Sequence, residues 1–235
     1  MKLKTVISRI FFPQRCKICS EIMPLLKSYC PECGLDTKSI SEAACPNCGH
    51  EKCMCHTEAH TPLPHFSAVY YYEGQIKKSL LKFKFYSESY YADIFGKAMA
   101  DRIKELYPDV DFDGVCFVPM TNKDKSKRGY NQSELLAKKV AEELGLPLTA
   151  CLEKVKSSLN QKDLTAKKRS ENVKNSFEIK GKADVMGKTF ILCDDIKTTG
   201  ATLRECSDAL LKAGAKDVYC LCLALTPYLV STDIF

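Results

Sequence analysis

Eight cysteines fall within the first 55 residues of this 235-residue chain, and they constrain its fold more than any other feature. They occur in pairs: Cys16 with Cys19, Cys30 with Cys33, Cys45 with Cys48, and Cys53 with Cys55. The N-terminal stretch is a poor secretory signal, since Arg9 interrupts its apolar residues and no small-residue cleavage site follows. Without a secretory signal, clustered cysteine pairs indicate metal ligands rather than disulfides.

The spacing within these pairs suits zinc. Two pairs occur in the sequences CPECG and CPNCG, whose proline and glycine favour a tight turn with backbone N–H groups directed at the sulfur atoms. Structural zinc takes four ligands in a tetrahedron, so two CxxC pairs complete one site. An all-thiolate set leaves no open coordination position, which indicates a structural metal. A module of about sixty residues with few large apolar side chains needs such a staple.

The sequence leaves the number of zinc ions and the pairing open. Four pairs are consistent with two ions, or with one complete site and one degenerate site. Sequential pairing, in which the first two pairs share an ion, is preferred, but a crossed arrangement is compatible with the spacing. Cys53 and Cys55 are separated by one residue, whereas Cys53 and His56 would restore the gap of two. A redox dithiol or a set of buried free cysteines is the alternative to zinc.

The remainder of the chain is predicted to form an α/β domain. A linker rich in His, Pro and Thr at residues 57–66 separates a cysteine-rich, zinc-ribbon-like module (residues 1–60) from a second domain (residues 61–235). Buried strands are predicted in the segments 67–74, 114–119, 188–193 and 217–225. Apolar residues at helical spacing cover 91–106 and 131–144. Strands alternating with helices imply a parallel sheet with crossover helices.

One segment, residues 190–202, combines the residue types of a sugar phosphate site. A predicted buried strand ends at the adjacent carboxylates of Asp194 and Asp195, and a loop of hydroxyl residues and glycine then opens a helix. Ligands of doubly wound sheets bind at the carboxyl ends of strands, and N–H groups at a helix N-terminus bind anions. Two carboxylates can each accept a hydrogen bond from a sugar diol. The segment therefore predicts a ribose 5-phosphate site, and it lacks the spacing of a Walker loop.

The motif DDIKTTGAT resembles the phosphoribosyl-pyrophosphate (PRPP) loop of type I phosphoribosyltransferases. The whole chain resembles the ComF competence family, in which a cysteine-rich zinc-binding module precedes a phosphoribosyltransferase-like domain. Three further segments carry this resemblance: VPM at 118–120, RGYNQSELLA at 128–137 and NQKDLTAKKRSENVKNSF at 160–177. The resemblance implies the parallel-sheet α/β fold of type I phosphoribosyltransferases for the second domain.

The resemblance also implies roles for particular residues. Asp194 and Asp195 would contact the ribose hydroxyls, and residues 118–120 would meet pyrophosphate. The 160–177 segment would form a mobile loop that closes over the site. Within this segment Arg169 is the candidate for a third catalytic residue beside Asp194 and Asp195, because its guanidinium can bind phosphate bidentately. The ligand-binding set comprises Asp194, Asp195, Lys197, Thr198, Thr199, Gly200, Ala201, Thr202, Val118, Pro119, Met120 and Arg128.

Three basic segments fit an anionic ligand. Residues 154–174 carry seven basic and two acidic side chains, and Arg169 among them can bind phosphate bidentately. Residues 123–128 form a second basic stretch, after which Asn131 either reads a base or, as its position before a helical pattern favours, caps the helix. Residues 77–91 interleave lysines with aromatics, as in a groove for single-stranded nucleic acid, although such aromatics are also typical of a core.

Three functions remain open from the sequence. The family resemblance favours a factor of natural transformation that binds single-stranded DNA and a PRPP-like or nucleotide ligand, with a ComFA-type ATPase as partner. The alternative is an active phosphoribosyltransferase that uses PRPP with Mg²⁺ and an unidentified nitrogen acceptor. A zinc-dependent scaffold with a vestigial pocket is the third possibility. The sequence does not determine whether PRPP is only bound or also turned over. It does not determine the oligomeric state either.

Overall charge and hydropathy are consistent with these functions without selecting one. The chain has 35 basic and 29 acidic residues, and the resulting net charge of +6 allows an anionic partner but does not require one. No apolar run approaches the roughly 18 residues needed to span a bilayer. The sequence therefore predicts a cytoplasmic protein.

Overall fold

A four-stranded parallel sheet forms the centre of the computed structural model, which describes residues 16, 18–19, 21–23, 30, 33, 38–57, 62–85, 90–121, 124–126, 129–155, 175–181 and 183–228. Its elements are β1 (Phe66–Tyr71), α1 (Gly74–Phe85), α2 (Tyr90–Leu106), β2 (Gly114–Phe117), α3 (Gln132–Leu144), β3 (Leu152–Lys154), β4 (Phe177–Ile179), β5 (Thr189–Lys197), α4 (Ala201–Lys212) and β6 (Asp217–Leu225). The sheet has the order β1–β6–β5–β2, and every pairing in it is parallel. β3 and β4 form a separate antiparallel pair.

The two central strands, β5 and β6, are each nine residues long and mostly buried. Residues 190–193 of β5 and 218–225 of β6 are continuous apolar runs, because helices cover both faces of the sheet. β6 coincides with the predicted strand 217–225. β5 continues four residues beyond its predicted end at 193, because its pairing with β6 extends to Lys197 opposite Leu225. The adjacent Asp194 and Asp195 therefore lie within the carboxyl end of the strand and not after it.

Two hydrophobic clusters lie on opposite faces of the sheet. On one face α1, α2 and α3 contribute Phe83, Phe95 and Leu136, which pack with Ile191 of β5. On the other face α4 contributes residues such as Leu210, which belong to the same cluster as Phe190, Leu192 and Val218. Successive β5 residues thus face opposite sides of the sheet. This arrangement confirms the predicted α/β class.

Helix α3 starts and ends at residues with clear capping geometry. The Asn131 side-chain carbonyl accepts a hydrogen bond from the Ser133 N–H at 3.1 Å, as expected of an N-cap residue. The same side chain donates to the Val118 carbonyl at 3.0 Å. Gly145 ends the helix at φ +68°, a left-handed conformation that favours glycine. Asn131 therefore caps the helix, as predicted, and also fixes the loop after β2.

The cysteine-rich segment packs directly onto the sheet domain. Cys16, Ile18 and Met23 are buried in the same cluster as the side chains of α1 and α2. Residue 40 donates its backbone N–H to the Val69 carbonyl of β1 at 2.9 Å. These contacts cross the predicted boundary at residue 60, and the division into residues 1–60 and 61–235 stays a prediction. Within the described ranges, no helix has both the length and the apolar character needed to cross a membrane.

Candidate functional site

Two adjacent carboxylates stand at the carboxyl end of β5. Asp194 Oδ1 accepts a hydrogen bond from the Ser133 hydroxyl of α3 at 2.7 Å and from the Asp195 N–H at 2.9 Å. Burial, together with the negative charge of Asp195, raises the pKa of Asp194 to about 7, although these hydrogen bonds oppose the shift. Asp194 is therefore an acid that changes protonation state near neutral pH, in contrast to an ordinary exposed aspartate.

Lys84 of α1 completes this acidic pair. Its ammonium lies 2.7 Å from Asp195 Oδ2, and the two side chains are only 19% and 14% exposed. Its positive charge also opposes the upward shift in the pKa of Asp194. From the sequence, Lys84 is one of the lysines of a possible nucleic-acid groove, and this contact is not predicted. No local motif marks it, because α1 and β5 meet only through the tertiary fold.

The loop after β5 has the form of an anion site. Gly200 precedes α4 at φ +90°, in the left-handed region that favours glycine. The Thr199 hydroxyl accepts a hydrogen bond from the Ala201 N–H at 3.3 Å, and the Gly200 carbonyl accepts the Arg204 N–H at 2.9 Å. The loop therefore leads directly into the N-terminus of a 12-residue helix, whose first N–H groups and dipole favour a negative charge. These features suit a phosphate.

Lys197 does not face this loop, although the sequence analysis included it among the ligand-binding residues. Its side chain is 1% exposed, and its ammonium donates to the Cys48 carbonyl at 3.2 Å. The same ammonium lies 4.9 Å from the centre of the Phe66 ring, within the range of a cation–π contact. Because these groups enclose it, the Lys197 ammonium is directed at the cysteine-rich segment and not at a ligand.

The segment predicted to meet pyrophosphate lies beside the acidic pair. The Val118 N–H donates to the carbonyl of Cys193, the residue before Asp194, at 3.0 Å. Val118 is buried, whereas Pro119 and Met120 are partly exposed. The structure thus brings the ends of β2 and β5 together, as parallel neighbours in a sheet require.

Other predicted site residues are outside the described part of the chain. They are Arg128, Arg169 and all of the 160–177 segment up to residue 174. Lys154, at the start of the basic segment, is described. Its pKa is lowered by burial, and the charges of Asp124 and Asp194 oppose that shift. Lys154, the first residue of the basic segment, therefore lies within electrostatic range of Asp194.

The eight N-terminal cysteines form two groups. In each group the four sulfur atoms lie within 4.8 Å of one another, and the groups are Cys16, Cys19, Cys30 and Cys33, and Cys45, Cys48, Cys53 and Cys55. The arrangement is sequential, and the second group contains Cys55 and not His56. The Cys19–Cys30 and Cys45–Cys55 sulfur separations are 3.6 and 3.7 Å. A zinc tetrahedron with 2.3 Å bonds has edges of about 3.8 Å, so these residues fit zinc.

Backbone N–H groups are directed at several of these sulfur atoms. Cys16 Sγ accepts from Ile18 and Cys30 at 3.5 and 3.4 Å, and Cys48 Sγ accepts from Met54 at 3.4 Å. Burial alone would raise the pKa of Cys16, but such N–H donors bring it down to about 7. The turn around Cys16 therefore stabilises its thiolate, which is the form that binds zinc.

Comparison with known proteins defines the class of the second domain. Residues 131–229 match the family model described as phosphoribosyl transferase domain, and this span includes α3, β5 and the loop before α4. The chain therefore carries a phosphoribosyltransferase-like domain of the parallel-sheet α/β type. A solved purine phosphoribosyltransferase from Pyrococcus horikoshii aligns with 60% of this chain and 77% of its own, at 20% identity and a TM-score of 0.38.

Full-length relatives extend the match to the cysteine-rich segment. DNA utilization protein YhgH of Salmonella typhimurium is 27% identical over 216 residues, which cover 89% of this chain and 90% of that protein. Competence protein ComFC of Bacillus subtilis is 29% identical over 201 residues, 80% of each chain. Competence protein F of Haemophilus influenzae is 34% identical over 108 residues, 45% of this chain and 47% of that protein. The chain is thus a homologue of the ComF competence proteins, as its motifs predicted.

Proposed function

We propose that this protein is a ComF-type factor of natural transformation that binds single-stranded DNA and holds a PRPP-like ribose 5-phosphate ligand at the carboxyl end of β5. The observation that carries the proposal is the position of the Asp194–Asp195 pair directly before the Gly200 loop and the N-terminus of α4. The names of the relatives, which refer to competence and DNA utilization, support the role in DNA uptake.

The pocket offers separate partners for the two parts of a ribose 5-phosphate. The carboxylates of Asp194 and Asp195 accept hydrogen bonds from the ribose hydroxyls, while the N–H groups of residues 198–202 bind the phosphate. Lys84 pairs with the Asp195 carboxylate and can also contact a second anionic group of the ligand. Pro119 and Met120 form the neighbouring wall toward the end of β2. Mg²⁺, where PRPP is the ligand, would balance the remaining phosphate charge.

DNA binding in this proposal depends on phosphate contacts more than on stacking. Phe83 and Tyr91 are fully buried and belong to the core, so these aromatics of the 77–91 segment do not form a stacking platform. Residues 154–174 carry a net charge of +5 and start close to the acidic pair. A 5′-phosphorylated end in the pocket would let this basic segment follow the DNA backbone. The proposed location is the cytoplasm, with a ComFA-type ATPase as partner.

Fluorescence anisotropy of a labelled 5′-phosphorylated oligonucleotide tests this function. The wild type is compared with the Asp194→Asn/Asp195→Asn variant, with PRPP and Mg²⁺ as competitors and the salt concentration varied. Asp109→Asn/Asp111→Asn is the matched control, because it makes the same charge change at exposed positions before β2. We expect binding that weakens steeply with salt and that PRPP displaces from the wild type and the control, but not from the pocket variant.

The alternative function, an active phosphoribosyltransferase, gives a different result. If the oligonucleotide does not bind but PRPP does, the DNA-binding part of the proposal is wrong. Release of pyrophosphate from PRPP in the presence of candidate nitrogen acceptors then measures turnover. Failure of both ligands to bind would reject the pocket itself.

A further inference from the structure

A buried lysine joins the second cysteine group to the proposed phosphate loop. Lys197 is the last residue of β5 and immediately precedes Thr198, the first residue of the loop. Its ammonium reaches Cys48, a ligand of the second group, by donating to the backbone carbonyl at 3.2 Å. This contact is shielded from solvent, because Lys197 is 1% exposed and Cys48 is fully buried.

Hydrogen bonds within the sheet hold the Lys197 backbone, where β5 ends and the phosphate loop begins. The Lys197 carbonyl accepts the Thr226 N–H at 3.0 Å, and Lys197 pairs with Leu225 in the β5–β6 register. Thr198 is exposed, whereas Gly200 and Ala201 are buried where α4 begins. The position of the Lys197 backbone therefore sets where the phosphate-binding N–H groups start.

The turn that carries Cys45 and Cys48 is also held in place, by contacts with Phe66. Phe66 packs against Gly49, where an added Cβ would lie 2.4 Å from a ring carbon, and Gly49 has φ +81°. The Phe66 N–H donates to the Pro46 carbonyl at 2.6 Å. The turn of residues 45–50 therefore contacts Lys197 directly through the Cys48 carbonyl and indirectly through Phe66 of β1, whose ring centre lies 4.9 Å from the Lys197 ammonium. A shift of this turn therefore displaces the partners of Lys197.

We propose that Lys197 is a positioning residue that couples the second cysteine group to the phosphate loop. Metal bound by Cys45, Cys48, Cys53 and Cys55 fixes the turn, the turn holds Lys197, and Lys197 holds the loop in its ligand-binding conformation. This inference rests on the proposed function. Coupling between two binding sites is reciprocal, so a ligand in the loop stabilises metal in the second group to the same degree as metal strengthens ligand binding.

The reciprocal effect provides the test. The zinc affinity of the second group is measured by equilibrium competition with a coloured chelator, with and without PRPP and Mg²⁺. The zinc that belongs to this group is identified with Cys53→Ser, which removes its exposed ligand. We expect PRPP to strengthen zinc binding by the second group about fivefold in the wild type, within the usual range of coupling between sites. The Lys197→Met variant should show less than a twofold effect, whereas the control Lys52→Met, at an exposed position of the same segment, should retain it.

A second measurement keeps the inference testable without a ligand. Hydrogen exchange of the backbone N–H groups at residues 198–202 is measured before and after zinc removal. Zinc removal should accelerate this exchange about tenfold in the wild type. In the Lys197→Met variant, the same N–H groups should exchange fast both with and without zinc. Phe66→Leu, which removes the ring but keeps an apolar side chain, should behave like Lys197→Met and provides a second variant if the first does not fold.

The outcomes separate this inference from the proposed function. If PRPP does not bind the wild type but exchange in the loop still depends on zinc and on Lys197, the proposed function fails and the coupling stands. If PRPP binds and Lys197→Met retains both the linkage and the zinc-dependent exchange, the coupling is wrong and the proposed function stands.

Discussion

At the scale of single residues, Asp194 is expected to destabilise the ligand-free protein at neutral pH. Its pKa is raised from an ordinary value near 4 to about 7, because burial and the charge of Asp195 disfavour the ionised form. Between these two pKa values the folded state binds more protons than the unfolded state, so the free energy of unfolding falls as the pH rises from about 4 to about 7. Above pH 7 the penalty is complete.

The Asp194→Asn variant tests this expectation. We predict that it is about 2–4 kcal/mol more stable than the wild type at pH 8, and that the difference becomes small near pH 4. Urea unfolding across this pH range measures the effect, with Asp111→Asn as an exposed control. Equal stability of the variant and the wild type at pH 8 would show that Asp194 is an ordinary acid.

Lys84 is predicted to contribute to ligand binding. Replacing it with methionine leaves Asp195 without the ammonium at 2.7 Å and removes a positive charge from the pocket. We expect Lys84→Met to weaken PRPP binding by at least tenfold, as measured by titration calorimetry. Lys78→Met, an exposed substitution in the same helix, should have no effect. Unchanged or tighter binding by Lys84→Met would mean that this lysine only blocks the pocket.

Sequence and structure differ in what they reveal at this scale. The acidic pair, the loop glycine and the cysteines were predicted because local spacing determines their chemistry. Lys84 and Ser133 were missed, since they reach Asp195 and Asp194 only through packing of α1 and α3 against the sheet. Lys197 was assigned to the ligand from its place in the motif, whereas the fold directs its side chain to Cys48.

At the scale of secondary structure, Asn131 connects helix α3 to the loop after β2. We predict that Asn131→Ala lowers the free energy of unfolding by about 2 kcal/mol, because the Ser133 N–H and the Val118 carbonyl both lose their partner. Asn131→Asp keeps the acceptor for Ser133 but not the donor to Val118, so it should cost about half as much. Chemical denaturation compares them, and equal losses would place the whole effect at the hydrogen bond to the Val118 carbonyl.

The element predictions missed helix α1 and the end of β5. Residues Ile76, Leu80 and Phe83 recur at helical spacing, so the sequence does contain the pattern of α1. In the structure these three side chains are buried in the cluster that includes side chains of α2. β5 was predicted too short because the polar pair Asp194–Asp195 resembles a loop, whereas pairing with β6 continues past it.

At the scale of the whole molecule, the cysteine-rich segment shares a hydrophobic cluster with the sheet domain. Cys16, Cys19 and Cys33 lie in the same core cluster as side chains of α1 and α2, and Arg102 of α2 donates to the Ser41 carbonyl at 2.9 Å. We predict that zinc removal lowers the melting temperature of the entire chain in one transition, because metal binding contributes directly to folding. Calorimetry with and without a chelator measures this. Two separated transitions, one of them unchanged by the chelator, would show that the sheet domain folds independently.

The central claim is that the carboxyl end of β5 binds a ribose 5-phosphate ligand. Titration calorimetry of PRPP with Mg²⁺ against the zinc-loaded wild type and the Asp194→Asn/Asp195→Asn variant tests it most directly. The account predicts one binding site per chain in the wild type and at least a tenfold loss of affinity in the variant, corresponding to about 1.4 kcal/mol or more. Equal affinity in the two proteins, or no binding by the wild type, would contradict it.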